Sequence, residues 1–430
     1  MTESNGNTNA VHPTSRLPHV SPTFSIATRG VHGDDPIRNY TDVAPALHVS
    51  TTFRYSSDPD KLIPSSGLED DRLELGPTIT GDAHIYSRES APNTSRLELI
   101  LSSILNAPCL TYASGLASFH ALLVYLNPKV VAIGGGYHGC HGVLKIYQKL
   151  TKCKIVDLFD EKSWDAAELG ENDVVHLETP INPTGLAYSI VHFAQLAHKR
   201  GAVLTVDATF APPPLQDPFA HGADFVMHSG TKYFGGHSDM LCGVIAINPK
   251  RANVKKDYWA MFQERVYLGA VMGSMEGWLG VRSLRTYELR ITRQSQSADR
   301  LVGFFASCLD STSTSPDAAL VQSVVAKLGH ASLQADDMKP WLAAQMPNGF
   351  GPVFAIWMKS KHLAKRLPGK MVLFHHATSL GGVESLIEWR RMSDDTVEET
   401  LCRVSVGVEA WEDLRDDFLQ AFRTLTEQHN

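Results

Sequence analysis

From about residue 93, short apolar runs alternate with amphipathic segments along the chain. Short apolar runs bounded by polar residues predict buried strands, and apolar positions three and four residues apart predict helices. The predicted strands are Leu110–Tyr112, Val130–Ile133, Lys154–Phe159, Val174–Leu177, Val203–Val206, Phe225–His228 and Val244–Ile247. The predicted helices between them are Ser95–Leu105, Ala117–Leu126 and Val191–Lys199. This alternation predicts right-handed crossovers and a largely parallel sheet that is covered on both faces.

The pattern changes near residue 250, where a long helical periodicity begins at about Glu276 and continues to Leu309. Two strand-like runs follow, Val353–Met358 and Val404–Val408, and the chain closes with a predicted helix, Trp411–Leu425. The acidic, Pro- and Gly-rich stretch Ser56–Gly81 predicts an exposed insertion. We therefore expect an α/β protein with three parts: an N-terminal arm with this insertion (1–81), a large α/β domain (82–275), and a connecting helix with a smaller α+β domain (276–430).

Composition narrows the class of protein. The chain has 430 residues, of which 43% are hydrophobic and 20% charged, as expected for a globular protein with a large core. A formal charge of -7 argues against a nucleic-acid partner. Six cysteines without a C-x-x-C pair, no long apolar run and no secretory signal at the N-terminus predict a cytoplasmic location and no membrane partner.

Ligands of open α/β sheets bind beyond the carboxyl ends of the strands, and three loops in such positions carry residues suited to chemistry. Ser114-Gly115-Leu116 leads from a strand into a helix, which predicts either an anion site or an ordinary helix cap. Asp207 directly follows a buried strand and either pairs with a cation or caps the next turn. Ser229-Gly230-Thr231-Lys232 offers two hydroxyls and an amine, although a loop lysine is more often simply solvated.

A fourth loop, Gly134 to Gly139, spells G-x-G-x-x-G and is followed by Asp157, which is a possible dinucleotide fingerprint. The fingerprint normally opens the first βαβ unit, whereas a strand and a helix already precede it here. A nicotinamide-dependent oxidoreductase is therefore the weaker alternative, together with a catalytically silent scaffold. His138, Cys140 and His141 lie close together, but no second cluster completes a metal site, and no metal is expected.

Together the loops supply a phosphate cradle, a flat aromatic side chain (Tyr137), a carboxylate and an amine. Pyridoxal phosphate needs these groups, because its aldehyde reacts with a lysine, its ring stacks on a flat side chain and its pyridine nitrogen pairs with an anion. The cofactor predicted from these loops is therefore pyridoxal 5'-phosphate.

The order of motifs resembles the cystathionine γ-synthase-like family of pyridoxal-phosphate enzymes of cysteine and methionine metabolism, from about Thr28 to the end of the chain. The motifs that carry this resemblance are Tyr86-Ser87-Arg88, Ser114-Gly115-Leu116, Tyr137, Glu178-Thr179-Pro180-Ile181-Asn182-Pro183, Val206-Asp207-Ala208-Thr209-Phe210, Ser229-Gly230-Thr231-Lys232-Tyr233, Ser379-Leu380-Gly381-Gly382-Val383-Glu384-Ser385 and Arg403-Val404-Ser405-Val406-Gly407. The resemblance implies a fold-type-I, aminotransferase-like architecture and a homotetramer built as a dimer of dimers.

The resemblance also implies roles for individual residues. Lys232 is similar to the Schiff-base lysine, Asp207 to the partner of the pyridine nitrogen, and Tyr137 to the stacking ring that also moves protons. The implied phosphate and cofactor contacts are Ser114, Gly115, Leu116, Thr209, Ser229 and Thr231, with Tyr86 and Arg88 reaching the neighbouring subunit's phosphate. The implied contacts to the substrate are Arg403, Ser379, Asn182 and Thr378, with Arg403 clamping the α-carboxylate.

A departure from the family pattern bears on the reaction. Transsulfuration members typically carry Glu before the serine of the Ser-Leu-Gly-Gly motif, to receive a distal ammonium, whereas this chain has Thr378. The sequence is similar to a fungal branch of the family, and we expect γ-replacement on O-acetyl-L-homoserine through a vinylglycine-type intermediate. The expected nucleophile is not cysteine; a carbon nucleophile such as a β-keto acid in natural-product biosynthesis fits. The alternative is a cystathionine γ-synthase or a carbon-sulfur γ-lyase.

Overall fold

The computed structural model describes residues 21–37, 41–62 and 84–427. Most of the predicted N-terminal arm lies outside the described residues, and so does the predicted acidic insertion from residue 63 onward.

Helices and strands alternate through the described chain. Helices α1 to α14 span Ile26–His32, Pro92–Leu105, Gly115–Leu126, His138–Thr151, Glu161–Ala167, Ile190–Lys199, Val254–Leu268, Ser274–Leu284, Tyr287–Leu309, Ala318–Val324, Ala335–Asp337, Ala343–Gln345, Lys361–Arg366 and Trp411–Glu427. Strands β1 to β12 span Cys109–Tyr112, Val130–Ile133, Lys154–Asp157, Val174–Glu178, Val203–Asp207, Phe225–Ser229, Gly243–Ile247, Val325–Gly329, Val353–Met358, His375–His376, Leu386–Trp389 and Leu401–Ser405.

The first seven strands form one sheet in the order β1-β7-β6-β5-β4-β2-β3. Strands β3, β2, β4, β5 and β6 are parallel, and β7 runs antiparallel between β6 and β1. The prediction of a largely parallel sheet is thus confirmed, and each predicted strand is present with ends that differ by a residue or two. Because β4, β5 and β6 are parallel neighbours, their carboxyl ends meet at one edge of the sheet.

Helices cover both faces of this sheet, which explains why its strands are apolar at successive positions. Within β2, Val131 belongs to the core under α3, α4 and α7, whereas Ala132 belongs to the core under α2, α5, α6 and α8. Trp164 of α5 is fully buried on the second face, and Phe119 of α3 is buried on the first. The sheet is therefore a rigid central layer from which the loops at its edge project.

The remaining strands form a second sheet in the order β10-β11-β12-β9-β8, which is antiparallel except between β10 and β11. Its core packs Phe354 of β9 against Phe305 of α9 and against Phe418 and Phe422 of α14. The closing helix is confirmed. The two sheets lie within residues 109–247 and 325–405, and the predicted domain boundaries at 81/82 and 275/276 stay predictions.

Tertiary contacts correct two expectations. The long helix predicted from Glu276 to Leu309 is two helices, α8 and α9, separated at Arg285. No Gly or Pro marks this break; instead the Arg285 guanidinium donates to the Gly30 carbonyl and to Asp34. The predicted strand Val404–Val408 is displaced to β12, which ends at Ser405. Val406 N–H still donates to Pro352 O in the register of β12 with β9, but Pro352 has no N–H with which to continue the ladder.

Other elements have no counterpart in the predicted set, among them α4, α5, α7, β8 and β11. All six cysteines are buried thiols without disulfide bonds. In the part of the chain that the structure describes, no helix has the length and apolar character needed to cross a membrane.

Candidate active site

Lys232 lies in the turn that follows β6, and its amine reaches across to the second domain. The Lys232 Nζ donates to Ser379 Oγ at 2.7 Å. Gly381 adopts φ +85°, and a Cβ there would lie 2.9 Å from the Lys232 carbonyl carbon, so only glycine permits this close approach. Burial lowers the pKa of the amine to about 8; the positive charge of Arg403 adds to this effect and Glu388 opposes it. The lysine is therefore not a solvated surface residue.

Asp207 is the last residue of β5 and is only 6% exposed. Its Oδ1 accepts from Thr209 N at 2.9 Å and from Thr209 Oγ1 at 2.6 Å. The Thr209 hydroxyl in turn accepts from Ser229 N at 2.8 Å, which ties the ends of β5 and β6 together. Thr209 thus orients the carboxylate through one oxygen.

Glu178 is a second carboxylate at this edge, partly buried, and the sequence indicated it only as part of a motif. It ends β4 and is the register neighbour of Asp207 in β5. Its Oε2 accepts from Tyr137 N at 2.7 Å and its Oε1 from Asn182 N at 2.6 Å. Burial raises the pKa of Glu178 to about 8, with Asp207 contributing, and burial also raises the pKa of Asp207. A cation placed beside this pair would be strongly favoured.

Tyr137 immediately precedes α4, and its ring is 39% exposed. Gly139 packs against it: a Cβ at this glycine would lie 2.5 Å from Tyr137 Cε1 and 2.9 Å from the Leu116 side chain. The absence of a side chain at Gly139 therefore lets the Tyr137 ring lie close to this loop while the residue stays partly exposed.

The dinucleotide alternative for the Gly134 to Gly139 loop is wrong. The Tyr137 amide already donates to Glu178, and a Cβ at Gly136 would lie 2.4 Å from the Glu178 carboxylate. This amide is therefore not free to donate to a pyrophosphate. Asp157, the predicted acid of the fingerprint, ends β3 and accepts from Phe159 N instead. The glycines permit close packing between the loop and Glu178.

The predicted phosphate cradle combines a helix start with hydroxyl groups. Gly115 and Leu116 are the first residues of α3, where backbone N–H groups have no acceptor within the helix. A Cβ at Gly115 would lie 3.2 Å from Ser229 Oγ, so the helix start and this hydroxyl are adjacent. The Ser114 hydroxyl instead caps α3 by accepting from Ala117 N.

The Thr231 hydroxyl, a predicted phosphate contact, already has backbone partners. It donates to Cys242 O at 3.3 Å and accepts from Cys242 N at 3.0 Å. To donate to a phosphate, the Thr231 hydroxyl would have to give up its hydrogen bond to the Cys242 carbonyl. The sequence could not reveal this competition, because Cys242 approaches only through the pairing of β7 with β6.

Arg403 of β12 is 4% exposed and faces the same edge of the large sheet. Its guanidinium donates from Nη1 to Asn182 Oδ1 at 3.1 Å and from Nη2 to Ser379 O at 2.8 Å. The Ser379 hydroxyl also accepts from Lys232 Nζ. Ser379 therefore contacts both the predicted carboxylate clamp and the amine. Thr378, the fourth predicted substrate contact, is exposed.

Tyr86 and Arg88 lie apart from these residues within one subunit. Tyr86 is 41% exposed, and the Arg88 guanidinium carbon lies 5.3 Å from the centroid of its ring. Among the described contacts, none joins either side chain to Lys232 or Asp207. A role in a neighbouring subunit's site therefore stays a prediction.

The arrangement of these residues fits pyridoxal phosphate. A partly desolvated amine, a buried carboxylate, an accessible tyrosine ring, and a helix start beside a serine hydroxyl converge where three parallel strands end. No group of three His, Cys, Asp or Glu side chains suited to a metal occurs among the described residues. The fold and site thus define a fold-type-I pyridoxal-phosphate enzyme.

Comparisons with known proteins identify the family within this class. Residues 27–423 match the family described as "Cys/Met metabolism PLP-dependent enzyme", and the chain belongs to it. It is 30% identical to cystathionine γ-synthase of Escherichia coli K12, covering 93% of this chain and 97% of the relative. It is 28% identical to cystathionine γ-lyase of Saccharomyces cerevisiae, covering 93% and 98%.

A solved structure shows the same architecture. CalE6 of Micromonospora echinospora, a methionine γ-lyase, superimposes with a TM-score of 0.76 at 29% identity, covering 93% of this chain and 99% of that one. The cofactor of the family is pyridoxal phosphate. The expected family, fold class and cofactor are confirmed, whereas synthases and lyases both occur among the similar proteins.

We expect Glu178→Gln to lower both the stability and the activity of the protein, because Glu178 binds the backbone at both Tyr137 and Asn182. Glutamine has one acceptor oxygen, so either Tyr137 N–H or Asn182 N–H loses its buried partner, which costs about 1–3 kcal/mol. The free energy of unfolding, measured by denaturant titration, should fall by this amount, and kcat/KM should fall with it. Glu171→Gln on the surface is the control. Unchanged stability in Glu178→Gln would contradict the assigned contacts.

The lowered pKa of Lys232 predicts how reconstitution of the apoenzyme depends on pH. Only the neutral amine can attack an aldehyde, and its fraction rises about tenfold per pH unit until the pH approaches the pKa. The rate of cofactor attachment, followed by visible absorbance at fixed pyridoxal phosphate concentration, should rise up to about pH 8 and then level off. A rate that still rises tenfold between pH 9 and pH 10 would show that the amine is not desolvated.

Proposed function

We propose that the protein catalyses γ-replacement on an O-acyl-L-homoserine, with O-acetyl-L-homoserine as substrate and a nucleophile other than cysteine. A carbon nucleophile such as a β-keto acid fits best. In this reaction the bond between Cγ and the ester oxygen breaks and acetate leaves. A bond then forms between Cγ and the nucleophilic carbon, which loses one proton.

The side chains of the site suit the steps of such a reaction. Bound pyridoxal phosphate supplies an electron sink for the electrons released when protons leave Cα and Cβ. Lys232 would hold the cofactor and then move the α-proton, and Asp207 would keep the pyridine nitrogen protonated. Burial raises the pKa of the Tyr137 hydroxyl, so at neutral pH it keeps a proton that it can donate near Cγ. Arg403 and Asn182 would hold the α-carboxylate.

The observation that carries the choice of nucleophile is the neutral side chain beside Ser379. Cysteine brings a second ammonium group, which needs a carboxylate to receive it. Thr378 offers no charge, and Glu388, the carboxylate that contacts the clamp, is already bound to Arg403, Arg390 and Ser393. A nucleophile without an ammonium group avoids this unpaired charge.

Product analysis tests the proposal. The holoenzyme is incubated with O-acetyl-L-homoserine and either acetoacetate or L-cysteine, and the products are identified by mass spectrometry. We expect acetate release and a carbon-linked amino acid with acetoacetate, and little cystathionine. Thr378→Glu, which adds a carboxylate at this position, should increase cystathionine formation relative to the parent enzyme.

The second candidate is a cystathionine γ-synthase or a carbon-sulfur γ-lyase, as in the similar proteins named above. Cystathionine as the sole product would establish the synthase. Release of 2-oxobutanoate from cystathionine or methionine would establish the lyase. Either result would reject the preferred function while leaving the cofactor site intact.

We also propose that the active unit is a dimer within a homotetramer. Exposed apolar side chains in the segment that carries Tyr86 support this proposal, because such side chains are typical of interfaces. They are Val43, Leu47, Val49, Tyr55 and Ile85. Light scattering of the purified protein tests the assembly; a monomer that binds the cofactor with full affinity would contradict it.

A further inference from the structure

Three buried charged side chains, Glu388, Arg390 and Arg403, form a triad at the predicted carboxylate clamp. Glu388 and Arg390 lie outside the motifs that carry the family resemblance. Glu388 of β11 is the direct cross-strand partner of Arg403 in β12. Arg390 follows β11 in a short 3-10 turn. All three side chains are at most 4% exposed.

One carboxylate oxygen joins both guanidinium groups. Glu388 Oε2 accepts from Arg403 Nη2 at 2.9 Å and from Arg390 Nη1 at 2.8 Å. Glu388 Oε1 accepts from Ser393 Oγ at 2.6 Å, so both carboxylate oxygens are bound. Asp394, a nearby carboxylate, accepts from Thr396 instead. Glu388 is therefore held in one orientation, and it holds Arg403 in turn.

The balance of charge in the triad favours an incoming anion. Glu388 alone would neutralise Arg403 and leave little attraction for a substrate carboxylate. Arg390 restores one net positive charge, buried where water screens it weakly. Arg390 Nε is buried without a hydrogen-bond partner among the described residues, and Glu388 is the carboxylate there to which Arg390 donates.

Resting on the function proposed above, we propose that Arg390 is a positioning residue. Through Glu388 it keeps the Arg403 guanidinium in one orientation, and its own charge keeps the three side chains net positive. A substrate α-carboxylate then binds as the fourth charged group. In this arrangement two cations and two carboxylates form one closed network when substrate is bound. Arg390 determines affinity for the carboxylate of the amino acid and leaves the chemistry at Lys232 unchanged.

The charges also act on neighbouring pKa values in the sense that this proposal requires. Burial lowers the pKa of Arg403 to about 10, and the charge of Arg390 adds to this effect, against the opposing effect of Glu388. At neutral pH Arg403 therefore remains protonated with Arg390 beside it, and both cations contribute to the field at the clamp.

The test compares two ligands that differ only in the carboxylate, L-norvaline and n-butylamine, by calorimetric titration of the holoenzyme. Arg390→Met should weaken L-norvaline binding about tenfold and leave n-butylamine binding within twofold. Arg390→Lys, which keeps the charge, should recover most of the L-norvaline affinity. With O-acetyl-L-homoserine, Arg390→Met should raise KM more than it lowers kcat. Arg391→Met is the matched control and should change neither affinity, because the Arg391 guanidinium contacts Asp395 O, Val397 O and Glu399 and not Glu388 or Arg403.

Equal weakening of both ligands in Arg390→Met would indicate a structural role and reject the proposal, and so would unchanged L-norvaline binding. If Arg390→Met does not fold, Arg390→Gln, which keeps a donor for Glu388, takes its place with the same expected values. Arg403→Met separates this proposal from the proposed function. If that variant leaves L-norvaline binding unchanged, the clamp assignment fails, whatever the nucleophile may be.

Discussion

Lys232→Ala should lose turnover by a factor on the order of 10³ or more while the protein stays folded. The variant has no amine to hold the cofactor or to move the α-proton. In the described part of the chain the Lys232 side chain donates only to Ser379, so truncation should leave the sheet edge and both cores intact. Acetate release from O-acetyl-L-homoserine measures turnover, and circular dichroism measures folding.

The cofactor provides a second measurement for the same variant. The parent enzyme should show a visible band that borohydride bleaches, and Lys232→Ala should lose this covalent attachment. Lys199→Ala, at the exposed end of α6, is the matched control and should retain both band and turnover. Turnover retained in Lys232→Ala would remove the basis of the proposed mechanism.

Asp207→Asn should lower kcat by roughly 10²–10³-fold with a smaller change in the free energy of unfolding. Burial raises the pKa of this carboxylate, and no cationic side chain pairs with it among the described residues, so a cationic pyridine nitrogen would supply the partner that it lacks. Asparagine keeps an acceptor for Thr209 and therefore preserves the turn, but it cannot keep the ring nitrogen protonated.

A buried aspartate at the opposite ends of the strands provides the control. Asp173 is 4% exposed and accepts from Lys129 N and Val130 N. Asp173→Asn should lower the free energy of unfolding and leave kcat nearly unchanged. If the two variants lose kcat equally, the effect of Asp207→Asn is structural, and the assignment to the ring nitrogen is wrong.

The elements that sequence patterns predicted best are those with the simplest environment. Strands buried on both faces have continuous apolar runs, and Val130–Ile133 and Val353–Met358 have the bounds that these runs predict. The break at Arg285 and the end of β12 at Ser405 were predicted wrongly, because no local pattern marks either. Arg285 binds Asp34, and the ladder of β12 ends opposite Pro352, both distant in the chain.

The candidate site shows the same division. Asp207 and Ser229 end buried strands and Lys232 lies in the turn after β6, so their approach to one edge could be predicted from the order of elements. The roles of Ser114 and Thr231 could not, since each hydroxyl has a competing backbone partner. The pairing of Glu178 with Asp207 depends on β4 lying beside β5, which no local pattern specifies.

The amino-acid sequence by itself determined the family, the cofactor and the residues able to do the chemistry. These follow from residue type and from position after an apolar run, which are local properties. Only the tertiary structure placed Glu388 and Arg390 around Arg403 and joined Ser379 to Lys232. Those relations depend on strand register and on the packing of two domains, which bring residues distant in the chain into contact.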